Sequence, residues 1–266
     1  MNTDTLLFDA GNSRFKWALV RGGRLGRQQA LPLAEFTRFA RWLRAAPPFA
    51  RAVGVNVAGA RCERQLRAAL HAAGRPAPEF IRSSAAAAGV RNGYARPGQL
   101  GADRWAGLVG AWHRAGCRRT VCAASIGTAI TLDVVDQRGR HRGGLIAPGP
   151  ALMLAALLER TADIAPRAAA RTSRASRQRH GDIVPPLAGA TRAAIEEGCL
   201  AAAAAFIDRT VEQLARRLGV RPLLLITGGG SPAVAARLRR SHESCEDLVL
   251  RGVAVLGGVP IRHRPC

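Results

Sequence analysis

The chain has 266 residues, 48 % of them apolar, so a folded globular protein is expected, and its apolar runs are too short to span a bilayer, which excludes a membrane-spanning class. Its six cysteines, Cys62, Cys117, Cys122, Cys199, Cys245 and Cys266, form no Cys-x-x-Cys pair and no zinc-spaced Cys/His cluster, and read as free thiols in a reducing compartment. Forty basic against eighteen acidic residues give a net charge of +22, but all cations except one are arginines strewn along most of the chain, so the charge reads as composition rather than as a nucleic-acid surface.

The opening Met-Asn-Thr-Asp lacks the basic start and longer apolar stretch of a signal peptide, so a cytoplasmic protein is expected. Residues 6–9 form a short apolar strand, Gly11-Asn12-Ser13 a turn and 15–20 a returning strand, which predicts a β-hairpin. Residues 31–46 have helical periodicity and stop before Pro47-Pro48; 52–58 are β-like and 60–73 helical. Residues 76–97 read as strand and loop, and 101–114 as a helix with Trp105, Leu108 and Trp112 on one side.

At Thr120 the opening pattern starts again: an apolar strand to Ala124, a turn at Ser125-Ile126-Gly127-Thr128 and a returning strand over 129–135. Laying residues 8–13 over 124–129 matches the strand, the glycine and the polar residue that follows, so two similar lobes are expected, 1–115 and 116–266. Residues 148–158 and 187–218 read mostly as helix, 222–226 as a buried strand running into Thr227-Gly228-Gly229-Gly230 and a further helix, and 248–256 as a last apolar stretch. Residues 167–180, arginine-rich and without aromatics, are expected to form a solvated loop.

Three glycine turns, each after an apolar strand, suit a nucleotide clamp, because backbone N–H groups reach phosphate oxygens only where side chains are absent. No Walker A loop or dinucleotide fingerprint is present. Lys16 is the only lysine in the chain, and a compact ammonium approaches a single phosphate oxygen in a way a guanidinium fork does not. Asp9, at the strand end before it, is placed to hold Mg²⁺ or, alternatively, to cap the turn through backbone N–H groups. Asp103 opens a predicted helix; it reads either as a first-turn acid or as a base or orienting group for a substrate hydroxyl, with Arg104 beside it to pair an anionic substrate group.

The set Asp9-x-Gly-Asn-Ser-Arg-x-Lys16, Tyr94-x-x-Pro-x-x-Leu-Gly-Ala-Asp103-Arg-Trp105, Gly127-Thr-Ala-x-Thr131-x-Asp133, Gly143-Gly-Leu-Ile-x-Pro-Gly149 and Thr227-Gly-Gly-Gly230 resembles the type III pantothenate kinases, a family that includes the Bvg accessory factors. The resemblance implies an α/β fold of the actin-like ATPase (ribonuclease H-like) kind with two duplicated lobes. It also implies ATP with Mg²⁺ held between the glycine turns, pantothenate as acceptor and a homodimer. By position, Asp9, Gly11, Asn12, Ser13, Arg14, Lys16 and Thr128 would bind ATP, with Asp9 on the metal. Asp103 would accept the proton, and Tyr94, Gly101, Ala102, Asp103, Arg104 and Thr191 would line the acceptor site; Thr191 also reads as a helix N-cap. Ser125 stands where many members carry an Asp associated with K⁺ or ammonium. Serine offers an oxygen without the charge, so a monovalent cation there would be held less strongly, and Asp133 is the nearest acidic substitute. Two rival readings are another phosphotransferase on the same fold and a regulatory protein with weak or no kinase activity.

Overall fold

The structure, a computed structural model, describes residues 4–161, 166, 168 and 187–262. The chain opens with β1 (Thr5–Ala10), β2 (Arg14–Arg21), β3 (Arg24–Leu25) and β4 (Gln29–Pro32), followed by α1 (Phe36–Ala45), β5 (Arg51–Asn56), α2 (Ala60–Ala72) and β6 (Pro78–Phe80). A small ribbon, β7 (Ala86–Ala87) and β8 (Val90–Arg91), leads to α3 (Ala102–Arg114). The second half contains β9 (Val121–Ile126), β10 (Ala129–Val135), β11 (His141–Pro148), α4 (Pro150–Arg160), α5 (Thr191–Leu218), β12 (Leu223–Thr227), α6 (Ser231–Ala235), β13 (Glu243–Ser244) and α7 (Leu248–Leu256).

The two main sheets repeat one plan. In the first the order is β3-β2-β1-β5-β6, with β1 antiparallel to β2 and parallel to β5; in the second it is β11-β10-β9-β12-β13, with β9 antiparallel to β10 and parallel to β12. The duplication read from the two hairpins is therefore also present in the sheets.

Alternation along the strands decides what faces where, because successive side chains leave a strand on opposite sides. Leu6, Phe8, Phe15 and Trp17 pack outward under α1 and α2, while Leu7, Ala18 and Val20 pack inward against α3 and α7. Asp9 and Lys16, cross-strand partners, continue that inward row. In the second sheet Cys122, Ala124 and Ile126 pack outward under α5, and Val121, Ala123 and Val135 inward on α3 and α7. Ser125, Thr131 and Asp133 share the inward row. Period two thus carries polar residues from both sheets into the space beyond the α3–α7 layer.

That central layer is packed backbone to backbone. A Cβ on Gly252 would overlap the carbonyl oxygen of Ala106, and one on Gly110 would lie 2.5 Å from the carbonyl oxygen of Leu248. Trp105, Leu108 and Trp112 are buried on α3 as the periodicity predicts.

Several boundaries differ from the sequence reading. Residues 31–32 belong to β4, pairing Leu31 with Phe15 and Pro32 with Arg14, so the helix expected from 31 begins at Phe36. The motif over 143–149 is mostly strand β11, and Gly149 is the N-cap of α4, which starts at Pro150. The stretch 248–256 is helix, buried between the sheets. Cys62, Cys117, Cys122, Cys199 and Cys245 are free, and Cys266 and most of 167–180 lie outside the described residues. Among the described residues no helix is long and apolar enough to cross a membrane.

Gly252→Ala gains helix propensity of about 1 kcal/mol but must push α7 off α3, and overpacking of this kind costs about 1–3 kcal/mol or more. A net loss of stability, read as a lower urea midpoint at unchanged slope, is the expected outcome.

Candidate active site

A cleft of about 750 Å³ opens between the two sheets. It is lined by the three glycine turns, by Asp9, Lys16, Asp103 and Arg104, by Ser125, Thr131 and Asp133 of the second sheet, and by Leu152 and Leu200 at its apolar side. The turns close on one another: Ser13 Oγ and Thr128 Oγ1 are 2.7 Å apart, and a side chain at Gly229 would meet Arg14 Nη1 at 3.2 Å. Gly228 has φ +98°, and a Cβ there would overlap the Ile126 carbonyl oxygen, so only glycine fits under the third turn. Gly11, Gly127 and Gly230 use their N–H groups inside the turns, which leaves those of Asn12, Ser13, Thr128 and Gly229 for a phosphate.

Lys16 Nζ donates to Asp9 Oδ2 at 3.1 Å, because β1 and β2 pair these two residues directly. Asp9 Oδ1 is buried and has no hydrogen-bond partner, and the carboxylate does not cap the turn. A buried carboxylate oxygen without a donor, facing the phosphate turns, suits a hard cation such as Mg²⁺. Among the described residues no group of three or more His, Cys, Asp or Glu converges as a metal cage, so Mg²⁺ would be shared between Asp9, phosphate oxygens and water.

Asp103 lies in the first turn of α3, which Gly101 caps, and its Oδ1 accepts from the Arg104 backbone N–H at 2.8 Å. A side chain at Gly101 would meet that oxygen at 2.7 Å. Burial pushes the Asp103 carboxyl above the ordinary carboxylate range, and the nearby charge of Asp9 adds to the rise; the Arg104 backbone bond and charge offset it only in part. Arg104 does not face Asp103 with its guanidinium. Its Nε and Nη2 donate to Asp133 Oδ2 and Oδ1 at 2.8 and 2.7 Å, and its Nη1 donates to Tyr94 Oη at 3.0 Å. Of the cleft's cations, Lys16 and Arg104 are each paired with a carboxylate, and among the described residues Asp103 has no ion pair.

Both oxygens of Asp133 thus accept hydrogen bonds from Arg104, so its charge is already balanced by a guanidinium. Ser125 lines the cleft directly opposite Thr131 in the β9–β10 pair, so two hydroxyl-bearing residues stand where the pair meets the cleft. Tyr94 reaches the cleft only through Arg104. Gly101 and Ala102 line a second cavity of about 320 Å³ with Asn56, Val57 and Arg82, and Val57 borders both spaces. Thr191 is the first residue of α5; the N-cap is Ala190, Thr191 makes no capping bond, and it does not line the cleft of this single chain. His141 was missed from sequence, and Gly144 was read only as part of a motif, because β11 was not recognised. Had it been, the Asp136–Gly139 turn would have shown a hairpin with Val135 opposite His141; a register shift beyond Val135 then sets Asp133 opposite Gly144.

The sequence pattern of the family described as type III pantothenate kinase matches residues 5–213. The chain belongs to that family. A type III pantothenate kinase of Aromatoleum aromaticum is 40 % identical over 253 residues, covering 94 % of this chain and 96 % of the relative, and one of Nitrosococcus oceani is 39 % identical over 256, covering 94 % and 92 %. Among solved structures, a Campylobacter jejuni protein described as a Baf family transcriptional activator aligns with a TM-score of 0.52 at 19 % identity, over 93 % of this chain and 94 % of that one. A Sinorhizobium meliloti protein described as a 2-dehydro-3-deoxygalactonokinase aligns with a TM-score of 0.52 at 16 % identity, over 98 % of each chain. These likenesses show the fold, which is the actin-like ATPase and sugar-kinase fold with mixed α/β sheets.

Because the folded carboxyl of Asp103 titrates above its unfolded value, its neutral form favours folding: that contribution is present at low pH and lost as pH rises through the raised value. Asp103→Asn keeps the Oδ1 acceptor and stays neutral. It is expected to be at least as stable as the parent at neutral pH, with the gain fading in acid, while turnover falls about 100-fold or more. Thermal melts from acid to neutral pH beside kcat check both halves, and undiminished kcat would remove Asp103 from the reaction.

Proposed function

We propose that this protein transfers the γ-phosphoryl group of ATP to the hydroxyl of pantothenate, giving 4′-phosphopantothenate, the first step of coenzyme A synthesis, in the cytoplasm. The observation that carries the reading is Asp103: a carboxylate with a raised pKa and no cation of its own, in the same cleft as the Asp9–Lys16 pair and the three phosphate turns, in a chain of the type III pantothenate kinase family.

In this reading the N–H groups of Asn12, Ser13, Thr128 and Gly229 hold the phosphates, and Lys16 and Arg14 supply positive charge. Bound Mg²⁺ would neutralise charge on the phosphate oxygens, with Asp9 holding it. Asp103 orients the acceptor hydroxyl and takes its proton as the oxygen bonds to phosphorus and the bond to ADP breaks. The transfer has a loose transition state, so positioning is the larger part of what Asp103 does. Arg104, held by Asp133, meets an anionic group of the acceptor. The regulatory reading gains no support from a site in which each of these charges is in place.

The chain is also read as a homodimer. β11 is an edge strand with Leu145 and Ile146 48 % and 63 % exposed, and α4 beside it has no buried residue, with Leu152 and Leu157 exposed. An apolar edge strand next to an apolar helix suits a two-fold contact with a second copy. Thr191, outside the cleft of its own chain, fits a role at such an interface.

Purified protein with ATP and Mg²⁺ is expected to phosphorylate pantothenate, and the two hydroxyls at Ser125 and Thr131 predict at most a few-fold stimulation by K⁺ or ammonium. Absence of turnover with or without either cation would sink the kinase reading; an absolute need for one would show a cation site built from other groups. Ile146→Asp is expected to convert a dimer to a monomer in light scattering after size exclusion, and a parent protein that already runs as a monomer would end the dimer reading.

A further inference from the structure

A buried polar cluster surrounds Asp133. Arg104 and Asp133 are 8 % and 4 % exposed, and the pair is bidentate. Asp133 Oδ1 is also 3.1 Å from Nε2 of His141, whose side chain is wholly buried. The backbone N–H of Gly93 donates to His141 Nδ1 at 3.4 Å, which places the lone pair there and the proton on Nε2, directed at Asp133. The imidazole lies nearly parallel to the Tyr94 ring, with centroids 5.7 Å apart and planes 13° apart, and Tyr94 accepts from Arg104. His141, Asp133, Arg104 and Tyr94 therefore form a closed ring of contacts joining β11, β10, the start of α3 and the Tyr94 loop. Gly144 completes it: a Cβ there would overlap Asp133 Oδ1 and lie 2.5 Å from Arg104 Nη2.

We propose that His141 is a positioning residue for the acceptor side of the site. It holds Asp133 Oδ1, the oxygen that also accepts from Arg104 Nη2, and through that carboxylate sets the plane of the Arg104 guanidinium. Of the five N–H groups of that guanidinium, three are engaged by Asp133 and Tyr94, so about two remain for an anionic acceptor group. Without the Nε2–H the carboxylate is free to turn about its last torsion and Arg104 turns with it. Small misplacements of such a clamp lower binding disproportionately. The inference rests on the reading that Arg104 meets the carboxylate of pantothenate. A histidine that merely filled space would be replaceable by any ring of its size.

His141→Phe keeps a ring against Tyr94 and removes the donor, whereas His141→Gln carries an N–H of similar reach. With the full chain and each substrate varied in turn, His141→Phe is expected to raise the pantothenate KM about tenfold or more, with ATP KM and kcat within about threefold, and His141→Gln to recover most of the loss. In an Arg104→Ala background His141→Phe is expected to add less than about twofold, since the group it acts through is gone. An unchanged pantothenate KM in His141→Phe, or an undiminished effect in the Arg104→Ala background, overturns the proposal. If the Phe variant does not fold, His141→Asn, whose amide stops short of Asp133, takes its place in the same cycle with the same two outcomes. Failure of the unsubstituted enzyme on pantothenate would count against the acceptor assignment, whereas an active parent whose His141→Phe variant keeps the same pantothenate KM counts against His141 alone.

Discussion

Two helices in backbone contact hold this molecule together. α3 and α7 come from different halves of the chain, yet Gly110, Ala106 and Gly252 let them touch without intervening side chains, and each sheet packs its inward face on the pair. The distance between the sheets, and hence the width of the cleft, depends on that contact. Because α3 begins with Asp103 and Arg104, the same contact also sets the acceptor-side residues against the phosphate turns. A methyl group at Gly252 therefore disturbs more than local packing.

Among the described residues, the charges lining the cleft sort into two ion pairs and, outside any pair, Asp103 and Arg14. Lys16 has Asp9 and Arg104 has Asp133, and both carboxylates are buried. Breaking the buried Arg104–Asp133 pair would strand a charge at about 3–5 kcal/mol, whereas exposed pairs such as Arg38–Glu35 contribute little. Asp103 lacks such a partner, and burial makes its charged form unfavourable. An acid in that state is a better proton acceptor than a salt-bridged one. The cluster behind Arg104 shows how the fold supplies this arrangement: the cation nearest in sequence to Asp103 is drawn off by an aspartate from the other sheet.

Much of the phosphate side was legible because it is local. A hairpin pairs residues a few positions apart, so Asp9 and Lys16 could be set across from one another from the strand pattern alone, and the repeated strand–glycine–strand pattern exposed the duplication. The acceptor side was less legible. His141 sits on a strand whose glycines and prolines conceal its periodicity, and the burial of α7 depends on sheets that lie far from it in the chain. The apolar run of residues 248–256 was visible, but a continuous apolar run does not say whether it is strand or helix until its neighbours are known.

The sequence by itself determined the two hairpins, the three glycine turns and the family, because strand alternation, turn chemistry and short motifs act over a few residues. Only the tertiary structure decided that Arg104 pairs with Asp133, that a buried His141 contacts the same carboxylate, and that Thr191 stands outside the cleft of its own chain. Those pairings depend on which donor reaches which acceptor between separate elements, 29 residues apart for Arg104–Asp133 and 8 for His141–Asp133. Burial then makes each of those pairings obligatory, since a polar group removed from water must find a partner within the protein.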